Sequence, residues 1–486
     1  MSVRIEGDVR EAVGPVPRRL FGSFVEHLGR AVYTGIHEPG HATSDSRGFR
    51  GDVLELVREL GPTVVRYPGG NFVSAYRWED GVGPDRPVRL DPAWHSVESN
   101  RFGLHEFAAW AEAAGVEVMY AVNLGTRGIS EAADVLEYCN HPGGTELSER
   151  RRANGADRPF GFRLWCLGNE MDGPWQIGHK TADEYSRLAA ETARLMRMID
   201  PDVELVVAGS SHADMPTFGS WERTVLRHTA GLVDHISLHA YYQELDGDTD
   251  SYLASASALD AYIRTAAGII DEVGSPVGIS VDEWNVWDLR RWTETDQPRL
   301  VAGGWREHPP LLEDTFTHTD AVVVGSLLGS LLRNVDRVTM ASQAQLVNAI
   351  APIRTEPGGP AWRQPTFHPF RLVSSLARGV SLRLSVGGDR IRTAQHGEVD
   401  LVDVAATLDG AAGAVFLTNR ATKTSTDVEI RLRGGRFAVA AAETLGAAGP
   451  VPLPGPGATS DAKGTVITAT LPPLSWTVLR LAGADA

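Results

Sequence analysis

Two acidic residues carry the chemical signal of this sequence. Glu170 ends the stretch 162–172, FRLWCLGNEMD, where an apolar run breaks at Gly168. Glu283 ends a second stretch of the same design, residues 277–287, VGISVDEWNVW. Each carboxylate therefore stands at the end of a segment that reads as a buried strand. A carboxylate there is costly to desolvate, so it is paired, exposed in a cleft, or tuned for proton transfer. Two such groups across a cleft suit cleavage of a glycosidic bond. One protonates the leaving oxygen, and the other attacks the anomeric carbon or activates water. Partial burial beside the neutral Asn169 would raise the Glu170 pKa, as a general acid requires. A cation such as Arg66 and a tyrosine hydrogen bond would keep Glu283 ionised, as a nucleophile requires. The competing reading is a pair of rim charges without chemistry.

Something must bring these two positions together, and the pattern around them supplies it. From residue 20 onward, apolar strands alternate with amphipathic helices, each strand finishing in polar or glycine-rich sequence. Expected strands lie at 20–25, 63–67, 117–122, 162–167, 204–208, 235–238, 277–283 and 337–341. Expected helices include 103–114, 130–138 with Ser130 as cap, 181–199 with Thr181 and Glu184 spaced as a capping box, 251–273 and 317–332. Residues 288–311 read as a long polar loop. Eight strand-then-helix units are the count of a (β/α)₈ TIM barrel, whose chemistry sits at the C-terminal strand ends. Glu26, Arg66, Asn71, Asn123, Asn169, Glu170, His239, Tyr241, Glu283 and Gln345 all fall at those ends. After residue 379 the texture changes to short alternating runs punctuated by Gly, Pro and Asp, the pattern of a C-terminal β-sandwich of jelly-roll type. The alternating N-terminal strand is expected to join it. The expected domains are therefore a catalytic barrel, 15–378, and a sandwich, 1–14 plus 379–486.

Bulk properties narrow the function. The 486 residues exceed one ordinary core, and the 42% hydrophobic and 22% charged content fits a globular chain. A net charge of −16 argues against nucleic acid or an anionic membrane as partner. The N-terminus lacks the pattern of a signal peptide and no run approaches membrane-helix length, so a cytoplasmic location is expected. Two cysteines, Cys139 and Cys166, make no disulfide framework and fit a reducing compartment.

Other rim residues have two readings each. Trp94, Trp175 and Trp287 could bind sugar C–H faces or pack their loops. Glu26 could bind a sugar hydroxyl or pair with Arg66. His212, His235 and His239 raise the question of a metal, but their segment reads as a strand and no carboxylate completes a ligand set, so no metal is expected. The stretch 173–181, GPWQIGHKT, has a phosphate-loop look that His179 spoils.

Longer motifs resemble a known family. FVEHLGRAVYTGI at 24–36, VRYPGGNFVSAYRWEDGVGP at 65–84, AVNLGTRG at 121–128, GNEMDGPWQIGHK at 168–180, HISLHAYY at 235–242, DEWNVW at 282–287 and AQLVNAIAPI at 344–353 are similar to glycoside hydrolase family 51, the α-L-arabinofuranosidases. The resemblance runs over nearly the whole chain. It implies a retaining mechanism with Glu170 as acid/base and Glu283 as nucleophile. Glu26, Asn71, Asn169, Tyr241 and Gln345 match furanose-binding positions, Trp94, Trp175 and Trp287 match aromatic positions around the pocket, and Arg66 and His239 match residues supporting the carboxylates. It further implies exo-acting release of terminal arabinofuranose (EC 3.2.1.55) from arabinose-containing oligosaccharides or polysaccharides, no metal or organic cofactor, and an intracellular homohexamer. The rival on the same scaffold is an endo-β-glucanase or β-xylosidase.

Overall fold

The computed structural model describes residues 1–461 and 463–484. Eight short segments form a closed parallel barrel: β1 (Gly22–Phe24), β2 (Val64–Tyr67), β3 (Glu117–Val122), β4 (Leu164–Leu167), β5 (Glu204–Val207), β6 (His235–Tyr242), β7 (Gly278–Val286) and β8 (Val338–Ala344). They neighbour one another in chain order, and β8 returns to β1. Strands covered on both faces read as continuous apolar runs. LWCL of β4 is one, and VVRY of β2 is another, interrupted only by the buried Arg66.

Outer helices follow the strands: α1 (Gly51–Leu60), α2 (Leu104–Ala114), α3 (Ile129–Asn140), α4 (Ala182–Ile199), α5 (Ser220–His228), α6 (Ser255–Val273), α7 (His318–Arg333) and α8 (Phe367–Leu376). α1 buries Val53, Leu54, Leu56, Val57 and Leu60, and stops at Gly61, whose φ of 76° is the left-handed helix end that glycine adopts without strain. The capping box of α4 forms: Thr181 Oγ1 accepts from the Glu184 amide at 3.3 Å, and Glu184 accepts from the Thr181 amide at 2.9 Å. α3 corrects the expectation of Ser130 as cap. Gly128 takes that place, because the Glu131 carboxylate accepts from its amide at 3.1 Å.

Three other boundaries differ. β6 continues four residues past Leu238, so His239 and Tyr241 stay on the barrel wall. The helix expected over 251–273 is two, Thr249–Leu253 and α6. The expected loop 288–311 is largely helical, in segments Leu289–Arg291, Trp292–Asp296 and Gln297–Ala302. Asp288 caps the first by accepting from the Arg291 amide at 3.0 Å, while buried Trp292 and Leu300 anchor the rest. Arg306–Glu307 then pairs in parallel with Ser96–Glu98.

The C-terminal region is a ten-stranded sheet wrapped around its own core as a sandwich. The N-terminal strand Ser2–Pro15 lies inside it, antiparallel to Val380–Gly388 and parallel to Thr426–Arg433. Its alternation buries Val3 and Ile5 with Leu382, Val415 and Ile430. α7 joins the two layers. Gly325 leaves room for Trp476, whose ring a Cβ would meet at 2.3 Å. Arg333 spans Asp260 at 2.8 Å and Asp403 at 2.9 Å.

Candidate active site

β7 carries one carboxylate, and its irregularity decides what surrounds it. From Ser280 to Glu283 the strand advances three residues while β6 advances two, Ser237 to His239. Against β8 the strand also advances three residues to two from Val281 to Trp284, after an opposite shift between Ile279 and Ser280. One extra residue is a bulge, which bends a strand and re-aims its side chains. A regular strand would send consecutive residues to opposite faces. Here Asp282 and Glu283 both reach His239, at 3.1 Å and 3.6 Å. Glu283 Oε1 accepts from Arg66 Nη1 at 2.6 Å, and Oε2 accepts from the Tyr241 hydroxyl at 2.8 Å.

β4 delivers the other carboxylate. The chain leaves it at Gly168, φ 87°, and Glu170 itself sits at φ 42°. That left-handed backbone is strained for a residue with a side chain. Glu170 Oε1 lies 2.9 Å from His239 Nδ1, and Oε2 accepts from Trp175 Nε1 at 2.6 Å. Carboxylate oxygens of Glu170 and Glu283 and a ring nitrogen of His239 all fall within 4.8 Å of one another.

Arg66 links the site laterally. Its Nη2 donates to Asn169 Oδ1 at 2.7 Å, and its guanidinium lies 4.9 Å from the Phe24 ring centre. The contact orients the Asn169 amide, so Nδ2 faces Gln176 Oε1 at 3.5 Å. Gln176 is buried and donates in turn to Ser74 Oγ at 2.5 Å. The Pro68–Gly69–Gly70 turn passes between the acids. A Cβ on Gly69 would lie 2.9 Å from Glu26 Cγ, and one on Gly70 would lie 2.9 Å from Glu283 Oε1. Glu26, expected as a sugar ligand or an Arg66 partner, makes no contact with Arg66. Its oxygens accept from the Phe72 amide at 2.9 Å, Trp94 Nε1 at 2.9 Å and Gln345 Nε2 at 3.1 Å.

Burial pushes Glu26 up to about 8, despite the Phe72 and Trp94 hydrogen bonds. Burial would lower His239, but Glu283, Asp282 and Glu170 outweigh it and hold the ring well above an ordinary histidine. Glu283 has the cation and the tyrosine hydrogen bond expected of it, set against its burial. Arg66 and Tyr241 both reach it, yet burial and the neighbouring Glu170 leave its proton affinity above the ordinary carboxylate range. Tyr241 is raised by burial first and by Glu283 next, so its phenol keeps its proton.

Arg66, Asn169, Tyr241 and Glu283 form one hydrogen-bonded group, which meets the His239, Glu170 and Trp175 group where His239 lies 3.6 Å from Glu283, while Glu26, Gln345 and Trp94 form a separate group beside the Gly69–Gly70 turn. Trp94 is buried against Trp292, rings 5.8 Å apart, and Trp287 packs edge-on against Tyr241 at 5.2 Å. Two of the tryptophans thus act as donors to carboxylates, while Trp175 also stays half-exposed. Asn71 is half-buried beside Gly70. Asn123 does not join the cluster: its side chain bonds the backbone of Tyr76, Gly125 and Thr126. His212, His235 and His239 do not converge, since His235 opens β6 and binds Thr339 Oγ1 at 3.0 Å. Sequence reasoning missed Asp282, Gln176 and Trp292. Only Asp282 left a signal, an acid beside an acid at a strand end.

Comparison with known proteins bears on what the cluster does. Residues 56–262 match the model of the α-L-arabinofuranosidase 1 domain, and residues 282–475 match that of the α-L-arabinofuranosidase C-terminal domain. An intracellular exo-α-(1→5)-L-arabinofuranosidase from Streptomyces lividans is 54% identical over 99% of this chain and 75% of its own length. The chain belongs to the α-L-arabinofuranosidases of family 51. An exo-α-(1→6)-L-arabinofuranosidase of Bifidobacterium longum is 53% identical, over 96% of this chain and 95% of its own. The solved family 51 α-L-arabinofuranosidase from Bifidobacterium longum superposes with a TM-score of 0.91 at 42% identity, covering 98% of this chain and 99% of its own. A bifunctional glucanase-xylanase shares only the fold with this arabinofuranosidase family member, at 14% identity and a TM-score of 0.64. Among the described residues no helix is long and apolar enough to cross a membrane.

Proposed function

We propose that this chain is a retaining, exo-acting α-L-arabinofuranosidase. The observation carrying this reading is the carboxylate spacing, with Glu170 and Glu283 oxygens within 4.8 Å. Retaining pairs stand about 5–5.5 Å apart, whereas inverting pairs leave about 6.5–9.5 Å for a water. Glu283 attacks the anomeric carbon as the bond to the leaving oxygen breaks, and the Glu170 proton passes to that oxygen. Water then attacks the arabinosyl ester, Glu170 takes its proton, and the bond to Glu283 breaks. Asn169, its Oδ1 held by Arg66, turns Nδ2 toward the sugar 2-hydroxyl, a contact that strengthens in the transition state. Glu26, Asn71, Tyr241 and Gln345 take the remaining ring hydroxyls. Trp94, Trp175 and Trp287 border the sugar, while Arg66 and His239 support the two acids.

The substrate is an arabinofuranosyl oligosaccharide or polysaccharide in the cytoplasm, cleaved without metal or organic cofactor. A homohexamer and a division into 15–378 and 1–14 plus 379–486 belong to the same proposal. They rest on the family resemblance and on the change of sequence texture near residue 379. Relatives 54% and 53% identical are named for α-(1→5) and α-(1→6) linkages. The test is hydrolysis of aryl α-L-arabinofuranoside beside aryl β-D-xyloside and a soluble β-glucan, by wild type, Glu170→Ala and Glu283→Ala. The furanoside should be preferred, Glu283→Ala should abolish turnover, and azide should partly rescue Glu170→Ala. Preference for the glucan or xyloside would sink the substrate assignment.

A further inference from the structure

We propose that Asp282 is a positioning residue that keeps His239 an imidazolium between the two catalytic carboxylates throughout the reaction. This rests on the acid/base and nucleophile roles proposed above for Glu170 and Glu283. The β7 bulge gives Asp282 its place, turning it toward the interior beside Glu283. Asp282 is 1% exposed, and a carboxylate so buried needs cationic or donor partners. Its Oδ1 stands 3.1 Å from His239 Nε2. Its Oδ2 lies 3.8 Å from Arg66 Nε and accepts from Cys166 Sγ at 3.8 Å. With Nε2 tied to an anion, the other nitrogen faces both acids at once, Glu170 at 2.9 Å and Glu283 at 3.6 Å.

That arrangement matches what retention demands of charge. Before attack, the negative charge resides on Glu283 while Glu170 holds a proton. In the arabinosyl ester Glu283 is neutral and Glu170 is the anion. One imidazolium N–H between them serves whichever carboxylate is ionised, without backbone movement. Among the described residues Asp282 is the acid bonded to the far nitrogen of the ring, and it takes no part in the exchange of charge between Glu170 and Glu283. The other charged or titratable neighbours are Arg66 from β2, Cys166 from β4, Asp172 after Glu170, Tyr185 from α4 and Tyr241 from β6. Arg66 is already committed to Glu283 and Asn169, and the tyrosines and Cys166 are neutral donors.

The experiment compares wild type with Asp282→Asn, an isosteric change that deletes the charge. If His239 loses its proton at neutral pH, both acids lose a neighbouring cation that favours their ionised forms. The pH profile of kcat/KM for an aryl α-L-arabinofuranoside should then move upward on both limbs by about one unit, the low end of a near-charge effect. Imidazole nitrogen NMR should show His239 protonated from pH 5 to 9 in wild type. In the variant its titration should move down from that range toward the ordinary value of about 6.5. A uniform rate loss with both limbs in place overturns the proposal. A neutral His239 in wild type at pH 7 overturns it too, and that measurement stands even if the variant does not fold. Failure of the wild type to cleave the furanoside would instead refute the functional reading, and the His239 titration would still decide whether Asp282 holds the charge.

Discussion

Gly70→Ala separates the geometry of the site from the stability of the fold. Gly70 does not occupy the left-handed region, so alanine can take its backbone conformation. Replacing glycine at such a position stabilises by about 0.4–1 kcal/mol, through a less disordered unfolded chain. The added methyl would lie 2.9 Å from Glu283 Oε1, 3.4 Å from Asn169 Nδ2 and 3.5 Å from Phe24 Cζ. The first contact is too short and must open by several tenths of an ångström. Glu283 Oε1 is the atom held by Arg66 at 2.6 Å, so opening weakens a charge-assisted hydrogen bond. Such bonds are worth about 1.5–3 kcal/mol. At about 1.4 kcal/mol per tenfold, and with misplacement near 1 Å costing about a hundredfold, kcat/KM should fall roughly 10- to 150-fold. The assay is aryl α-L-arabinofuranoside hydrolysis beside differential scanning calorimetry of the same preparations. The melting temperature should fall by only a few degrees, because the gain in the unfolded chain offsets part of the weakened bond, while kcat/KM collapses. Activity within threefold of wild type would refute the claim that this turn is glycine because the nucleophile lies against it.

Three further outcomes follow from the same geometry. Glu283 must be ionised to attack, and burial raises its pKa above the ordinary carboxylate range. The acid limb of kcat/KM should therefore fall off above about pH 4.3, activity declining as pH drops through it; a limb below that value contradicts the burial argument. Trp175→Phe keeps an aromatic face but removes the donor 2.6 Å from Glu170 Oε2. It should cost about tenfold or more in kcat/KM, most for substrates with poor leaving groups, and leave the melting temperature of this half-exposed position unchanged. Glu26 has a folded pKa of about 8 against an ordinary value near 4.5, so the folded state binds its proton more tightly than the unfolded chain. Its contribution is full below pH 4.5 and fades as pH rises toward 8. Glu26→Gln should therefore gain up to a few kcal/mol relative to wild type between pH 4.5 and 8 while weakening sugar binding, and chemical denaturation at both pH values checks the sign.

Much of the scaffold was legible because of what parallel strands require. Covered on both faces, they appear as apolar runs, so any polar residue at their ends stands out. That contrast exposed Asn169, Glu170, Glu283 and the arginine inside VVRY, and alternation placed the N-terminal strand with the sandwich. Boundaries drifted where side chains outvoted propensity, as when Glu131 moved the start of α3 to Gly128. The helical run after Asp288 was hidden for a similar reason. Its polar surface reads as a loop, and only Trp292 and Leu300 turn inward.

The chain itself therefore determined the barrel, the sandwich and the two acids, since each depends on local periodicity and composition. Three-dimensional structure decided what those acids touch. Trp94 and Trp175 proved to be donors to carboxylates because loops distant in sequence meet across the rim. Glu283 keeps a high proton affinity despite Arg66 because burial is a property of the packed barrel and not of neighbours in sequence. Asp282 faces the site because β7 carries one residue more than β6 between Ser280 and Glu283, and a bulge is a mismatch between strands that no single strand records.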